Sequence, residues 1–314
     1  MGKGERNRQQ AARERIAAQQ AAARRAEARR RIFIAGGSVF VVIAIVVALV
    51  IFKTNSKTPA GGSAPVASAS LEAQVAYDIA HVPTSVLNTV GAGPSGSNAV
   101  SPLQAAVKKV PLLKSDGKPE MLFIGAEWCP YCGAERWVMA EALSRFGTFT
   151  GLHLIHSSSS DVYSNTSTLS FYGSTYTSKY LVFVPVESEN TNKDPLQNPT
   201  SAENALMTTY DNPPYLPSSD AGEEPFPFID IGNQWIADGA QYLPSVLGSG
   251  PNPDPSHYGL SWAQIAADLS NPNSLVTQSI IGSANHMTAA ICKVTGGQPG
   301  SVCNSPAVKA ITQI

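Results

Sequence analysis

Two cysteines, Cys129 and Cys132, stand two residues apart in the stretch Gly125-Ala126-Glu127-Trp128-Cys129-Pro130-Tyr131-Cys132-Gly133. Thiol–disulfide exchange needs that spacing. A thiolate attacks a sulfur, and a second thiol must then reach the first to resolve the mixed disulfide. The flanking residues say where the pair sits. Met121-Leu122-Phe123-Ile124 is a short continuous apolar run, which suits a strand buried on both faces. Asp116-Gly117 is a turn signal ahead of it, and Pro119 bounds it. After Gly133, the residues Trp137, Val138, Ala140, Leu143 and Phe146 recur at helical spacing. A buried strand therefore runs into a pair of cysteines that opens a helix. There the unpaired N–H groups and the positive dipole end favour a thiolate. Cys129 is expected to be exposed and nucleophilic. Cys132, one turn inside, is expected to be covered and to act as the resolving thiol. Trp128, Pro130 and Tyr131 offer flat apolar surface for a polypeptide substrate.

This pattern resembles the thioredoxin superfamily. Ala126-Glu127-Trp128-Cys129 is similar to the approach to the thioredoxin active site, and Cys129-Pro130-Tyr131-Cys132 carries the dipeptide typical of glutaredoxins. Asp116-Gly117-Lys118-Pro119 is similar to membrane-anchored extracytoplasmic relatives. One departure is Phe123, where thioredoxins carry a buried acidic residue. A second anchor is Pro225-Phe226-Pro227-Phe228-Ile229-Asp230-Ile231-Gly232-Asn233-Gln234-Trp235-Ile236. The resemblance implies a cis-proline directly before a strand that hairpins into the next. Pro227 is the expected one, with Pro225 as the alternative. Phe226 would offer its backbone to an extended substrate. The whole layout resembles an uncharacterised prokaryotic family of membrane-anchored thioredoxin-like proteins.

The chain has 314 residues, 43% of them hydrophobic and only 14% charged, enough for a sizeable core under an unusually neutral surface. Its net charge of −1 hides a split. Residues 1–31 carry ten Lys and Arg against three Glu, or +7, which leaves −8 for the remainder. No nucleic-acid partner is expected from the body of the chain. Ile32–Phe52 is an uncharged apolar segment of 21 residues, long enough to cross a bilayer and too long for a cleavable signal. Arg29, Arg30 and Arg31 beside it place the basic arm 1–31 in the cytoplasm and everything after it outside. Residues 53–70 read as a Ser/Ala/Gly/Pro linker, and 71–314 as an extracytoplasmic domain.

Within that domain, Leu71–Ala80 reads as a helix and Leu103–Val107 as a helical turn. Leu152–His156 reads as the next strand, running parallel to the first through a right-handed crossover. His153 and His156 fall on its opposite faces and read as polar strand-end residues rather than metal ligands. Residues 157–225 read as a long insertion over the active-site edge. Its strands are Leu169–Tyr172 and Tyr180–Val184, and its helix is Ala202–Tyr210. Its rings (Tyr163, Phe171, Tyr172, Tyr176, Tyr180, Tyr210 and Tyr215) either line a substrate groove or fill the insertion's own core. Tyr242–Leu247 reads as the closing helix of the core. Residues 257–314 read as a helical extension, with helices at Trp262–Leu269 and Leu275–Val294. Cys292 and Cys303 bracket a Gly-rich loop between helices, and in an oxidising compartment they most simply form a structural disulfide. The alternative is a second redox pair that relays electrons.

The reading is therefore an α/β, thioredoxin-like fold with a long insertion and a helical extension, behind one transmembrane helix. Cys129, Cys132 and Pro227 are the candidate catalytic residues, and no cofactor or metal is expected. The partners are proteins carrying thiols or disulfides, a redox partner in the membrane, and the bilayer through Ile32–Phe52. A non-catalytic binding module and a metallochaperone are the alternatives.

Overall fold

The strand before the cysteines forms where the apolar run placed it. The computed structural model describes residues 67–106, 110–211, 215 and 226–311. The basic arm, the apolar segment, nearly all of the linker and Pro225 lie outside these. Among the described residues no helix is long and apolar enough to cross a membrane.

Helix α1 (Ala69–Ala80) is capped by the Ser68 side chain and buries Val75 and Ile79, one turn apart. Helix α2 (Thr84–Val90) follows Pro83 and stops at Gly91. Over 103–106, the described part of the helical turn expected at 103–107, no helical turn forms. Gln104–Ala105 is instead a short strand, β1, whose neighbour Ala106 donates its N–H to Gln234 O at 2.8 Å. Two residues are too few for a periodic signal, and pairing with a sheet edge overrides local propensity.

Strand β2 (Lys114–Ser115) turns back into β3 (Lys118–Gly125) through Asp116 and Gly117, both at positive φ. This is the two-residue hairpin that an Asp-Gly pair favours. Helix α3 (Pro130–Ser144) follows. After it come β4 (Gly147–Thr150), β5 (His153–His156), β6 (Ser167–Ser170) and β7 (Thr175–Ser178). They form two separate antiparallel pairs, β4 with β7 and β5 with β6.

The expected crossover is thus corrected: Leu152–His156 does not run parallel to β3. That place belongs to β8 (Val182–Glu187), whose Glu120↔Val182 to Gly125↔Glu187 register spans most of β3. The physical reason lies in burial. β5 has polar residues at both ends and buries little beyond Leu154, whereas Leu181 to Val186 is nearly all apolar. Pro185 disguises that run, yet it is tolerated because β8 pairs on one side only. The stretch 157–225 is thus divided by β8, with described residues on both sides of that strand.

Helix α4 (Ser201–Tyr210) starts at a Thr200–Glu203 capping box. Strands β9 (Phe228–Ile231) and β10 (Trp235–Asp238) form the expected hairpin. The sheet runs β1-β10-β9-β3-β2, with β8 parallel to β3 on the side away from β9. Alternate β3 residues feed two cores. Met121 and Phe123 face the large one with α1 and α3, while Leu122 and Ile124 join Val186, Tyr210, Phe228 and Ile236 on the other face.

The closing helix expected at Tyr242–Leu247 is only a 3-10 turn, Pro244–Leu247, with Pro244 in its first turn. Helix α5 (Trp262–Asp268) is followed by α6 (Leu275–Val294), twenty residues long and buried along almost its whole length. Arg145, the C-cap of α3, donates to Asn285 of α6 at 2.8 Å. Two short helices end the described chain, α7 (Gly300–Cys303) and α8 (Pro306–Lys309). Cys292 and Cys303 are disulfide-bonded, with Cα atoms 5.5 Å apart.

Candidate functional site

Cys129 is the N-cap of α3, and Pro130 fills the first helical position, where its missing N–H costs nothing. The Cys129 sulfur accepts from the Cys132 N–H at 3.2 Å and donates to Phe226 O at 3.8 Å. The Phe226–Pro227 bond is cis. The structure thus brings together, from β3–α3 and the start of β9, the residues that the sequence singled out: Cys129, Cys132, Phe226 and Pro227. Both thiols are free.

The expected exposure of Cys129 is corrected. Cys129 is 3% exposed and Cys132 is fully buried. The Cys129 sulfur lies against the Phe226 carbonyl, and the Trp128 and Phe226 rings meet edge to face beside it, 6.4 Å apart. The two thiols nevertheless differ. Burial pushes Cys129 up, but hydrogen bonds from Cys132 and the charge of Arg136 outweigh it, so its pKa lies below the ordinary cysteine value. Burial, and then the Cys129 sulfur itself, push Cys132 well above it.

Three ionisable residues near this site were invisible to sequence reasoning. Arg136, one turn after Cys132, is fully buried. It forms a bidentate pair with Glu187 at the end of β8, at 2.8 and 2.7 Å, and donates to Ala126 O at 2.7 Å. Burial opposes its charge, but Glu187 more than offsets this, and the guanidinium pKa is raised. Glu135, beside it, accepts from Gln241 N–H at 2.9 Å, and its Oε1 has no partner. Burial raises Glu135 to about 8, so it is largely neutral at pH 7. Charged residues in a helix normally read as a solvated face. The one available signal was their position on a helix that begins at buried cysteines.

The surroundings are aromatic and polar. Trp128 donates its indole N–H to Glu189 at 2.6 Å, and the Lys193 ammonium lies 4.3 Å from its ring centroid. Tyr131 meets Tyr163 edge to face. Burial, and then Tyr163, raise Tyr131 to about 12, so it stays neutral. Of the other rings over 157–225, Phe171 and Tyr176 pack with Phe149 and Phe183 into a core, which is the filling role. Tyr163 contacts a residue between the two cysteines. His153 lies beside Glu72, and His156 packs against Trp262. Among the described residues, no three His, Cys, Asp or Glu side chains cluster as a metal site would require.

Residues 107–293 match the family described as a domain of unknown function, DUF929, and the chain belongs to that family. No curated protein matches the chain, and no solved structure does.

Proposed function

We propose that this member of the DUF929 family is a thiol–disulfide oxidoreductase with a thioredoxin-type core, acting through Cys129 and Cys132 on protein thiols or disulfides. The observation that carries the reading is the Cys129 sulfur at the N-cap of α3, 3.2 Å from the Cys132 N–H and 3.8 Å from the carbonyl that precedes Pro227. The succession β3–α3–β8, with β8 parallel to β3, followed by the antiparallel β9–β10 hairpin, supports the thioredoxin-type layout. In that layout α6 takes the part of the closing helix.

In the reducing direction the Cys129 thiolate attacks one sulfur of a substrate disulfide. The substrate S–S bond breaks, and its second sulfur leaves as a thiolate. Cys132 then attacks the Cys129 sulfur of the mixed disulfide. A Cys129–Cys132 disulfide forms, and the remaining substrate sulfur leaves and takes up a proton. The protein loses two electrons and the substrate gains them; the oxidising direction is the reverse. The Phe226 backbone would pair with an extended substrate, and Trp128 and Tyr131 would flank it. Because Cys129 is so little exposed, substrate entry requires side chains around it to move. A location outside the cytoplasm, on an anchor at Ile32–Phe52, is part of the same proposal and rests on the charge bias around that segment. Labelling of engineered cysteines in intact cells checks it: labelling of the N-terminal arm, with none after residue 60, would reverse the topology.

The test of the chemistry is a non-reducing gel of cells expressing Cys132→Ala or Cys129→Ala. Cys132→Ala should accumulate covalent complexes with partners, and Cys129→Ala should capture nothing. The burial of Cys129 favours one other reading, a non-catalytic binding module. Failure of both variants to trap partners, with exchange of a small disulfide unaffected in either, would select it.

A further inference from the structure

Arg136 is the buried charge that the proposed reaction leaves unassigned. A thiolate formed on fully buried Cys132 would have no solvent to stabilise it, and an unpaired buried anion is costly. The structure places a cation beside it. Cys132 and Arg136 are four residues apart on α3, hence on one face, a single turn apart. Their surroundings are shared. A Cβ added at Gly125 would lie 3.1 Å from the Cys132 sulfur and 2.5 Å from the Phe123 ring. The Arg136 guanidinium carbon lies 5.8 Å from the centroid of that same ring. Arg136 also donates to the carbonyl of Ala126, the residue after Gly125. Its Nε and Nη2 are used by Glu187 and Ala126, while Nη1 is buried with no hydrogen-bond partner. A buried guanidinium N–H without a partner is an expensive feature in a resting protein, and it is accounted for if an anion forms there during turnover.

We propose that Arg136 is the counter-ion for the Cys132 thiolate in the resolving step, held in place by Glu187. The inference rests on the oxidoreductase reading and deepens it. Arg136 takes no proton. When Cys132 attacks the mixed disulfide, its S–H proton ends on the departing substrate thiolate, and the negative charge is carried between the two by sulfurs within the field of Arg136. Four other charged or titratable groups bear on that field. Glu187 is paired directly with Arg136; the Cys129 sulfur shares the site; Glu127, just before the cysteines, is held by Ser170; and Glu135, on the same helix as Arg136, accepts from the Gln241 N–H. Glu187 reduces the field at the sulfur, so the two partners of the ion pair should have opposite effects on it.

The experiment mixes the full-length protein, with Cys129 and Cys132 as thiols and the Cys292–Cys303 bridge intact, with an aromatic disulfide whose halves leave as coloured thiolates. Stopped-flow absorbance then records two releases: attack by Cys129, then resolution by Cys132. Arg136→Met should slow the second release at least tenfold and move its pH midpoint upward, and Arg136→Lys should recover part of the rate. Arg136→Met leaves Glu187 buried and unpaired, so the double variant Arg136→Met/Glu187→Gln, which removes both charges, should show the same slowing in a chain whose fold is checked by circular dichroism. Glu187→Gln alone should lower the midpoint. An unchanged second release and midpoint in the folded double variant overturns the role of Arg136. A wild-type protein that gives no second release, or whose first release survives Cys129→Ala, overturns the oxidoreductase reading instead.

Discussion

Helices α3 and α6 pack together through Arg145 and Asn285, and each holds cysteine at one end: α3 a free pair at its N-terminus, α6 one half of a bridge at its C-terminus. Cys129 caps the N-terminus of α3 and Cys132 sits in its first turn. Cys292 lies in the last turn of α6 and is bonded across to Cys303 at the end of α7. The N-terminal end offers free N–H groups and a positive dipole, which favour a thiolate; the C-terminal end offers carbonyls, which oppose one. The interiors of the two helices differ in the same way. α3 buries Glu135, Arg136 and Glu141, whereas the polar groups that α6 buries are uncharged ones such as Ser279, Ser283, Asn285 and Thr288, with His286 the titratable one among them. One helix is built to hold charge in the core. The other holds the core together.

The sharpest way to break this contrast is alkylation. With all four cysteines reduced and a small electrophile supplied at pH 6, Cys129 should react at least tenfold faster than Cys292 or Cys303. Peptide mapping at early times reads this directly, and equal rates would erase the distinction between the helix ends. Next in size is loss of the disulfide. The bridge closes a loop with a sequence separation of 11, for which chain entropy gives about 3 kcal/mol. Cys292→Ser/Cys303→Ser should therefore lower the urea-unfolding free energy by about 3 kcal/mol while leaving the Cys129 alkylation rate within about twofold. A large fall in that rate would mean that the second pair serves the first, as a relay would.

The legible part of this molecule was the local part. The cysteine pair, the strand before it, the Pro227 hairpin and the 292–303 bridge each announce themselves within a dozen residues. The parallel partner of β3 does not. Its apolar run is broken by Pro185 and ends in Glu187, and only the register with Gly125 shows that the carboxylate belongs in the interior. Arg136 was hidden for the matching reason. A buried ion pair between residues 51 apart leaves no periodic trace, and each partner alone looks like a surface residue. The long helix α6 was legible as a helix, but its place against α3 was not, because packing partners are set by the sheet order and not by the helix's own pattern.

Glu135 tests whether α3 tolerates buried charge without an ionic partner. Arg136 and Glu141 have ionic partners, Glu187 and Arg145; Glu135 has only the Gln241 N–H. Its folded pKa of about 8 lies above the ordinary 4.5. Its contribution to stability is therefore fully present below pH 4.5 and is lost as pH rises toward 8, because the unfolded chain ionises first. At about 1.36 kcal/mol per pH unit the loss has a ceiling of about 5 kcal/mol, and relaxation around the carboxylate should reduce it to about 2 kcal/mol. Glu135→Gln should gain that amount over wild type at pH 8.5 and nothing at pH 4. A constant difference at both values would mean that the carboxyl titrates normally.

The smallest expected effect comes from the opposite helix and has the opposite sign. His286 is the titratable group buried in α6, and its Nδ1 has no hydrogen-bond partner. Burial lowers its pKa below the ordinary 6.5, and a hydrogen bond with the Ala92 backbone only partly offsets this. The neutral ring is the form that fits, so its contribution is present above pH 6.5 and is lost as pH falls below that value, where the unfolded chain takes up the proton first. His286→Gln keeps a polar, uncharged side chain at the site. It should cost a little at pH 7 through imperfect packing and then lose less than wild type on acidification, narrowing the gap by about 2 °C in Tm between pH 7 and pH 5. Thermal unfolding of both proteins across that range reads the difference in slope. A variant that tracks wild type in parallel would show that His286 accepts its proton without penalty, and α6 would then share the tolerance for charge that separates α3 from it.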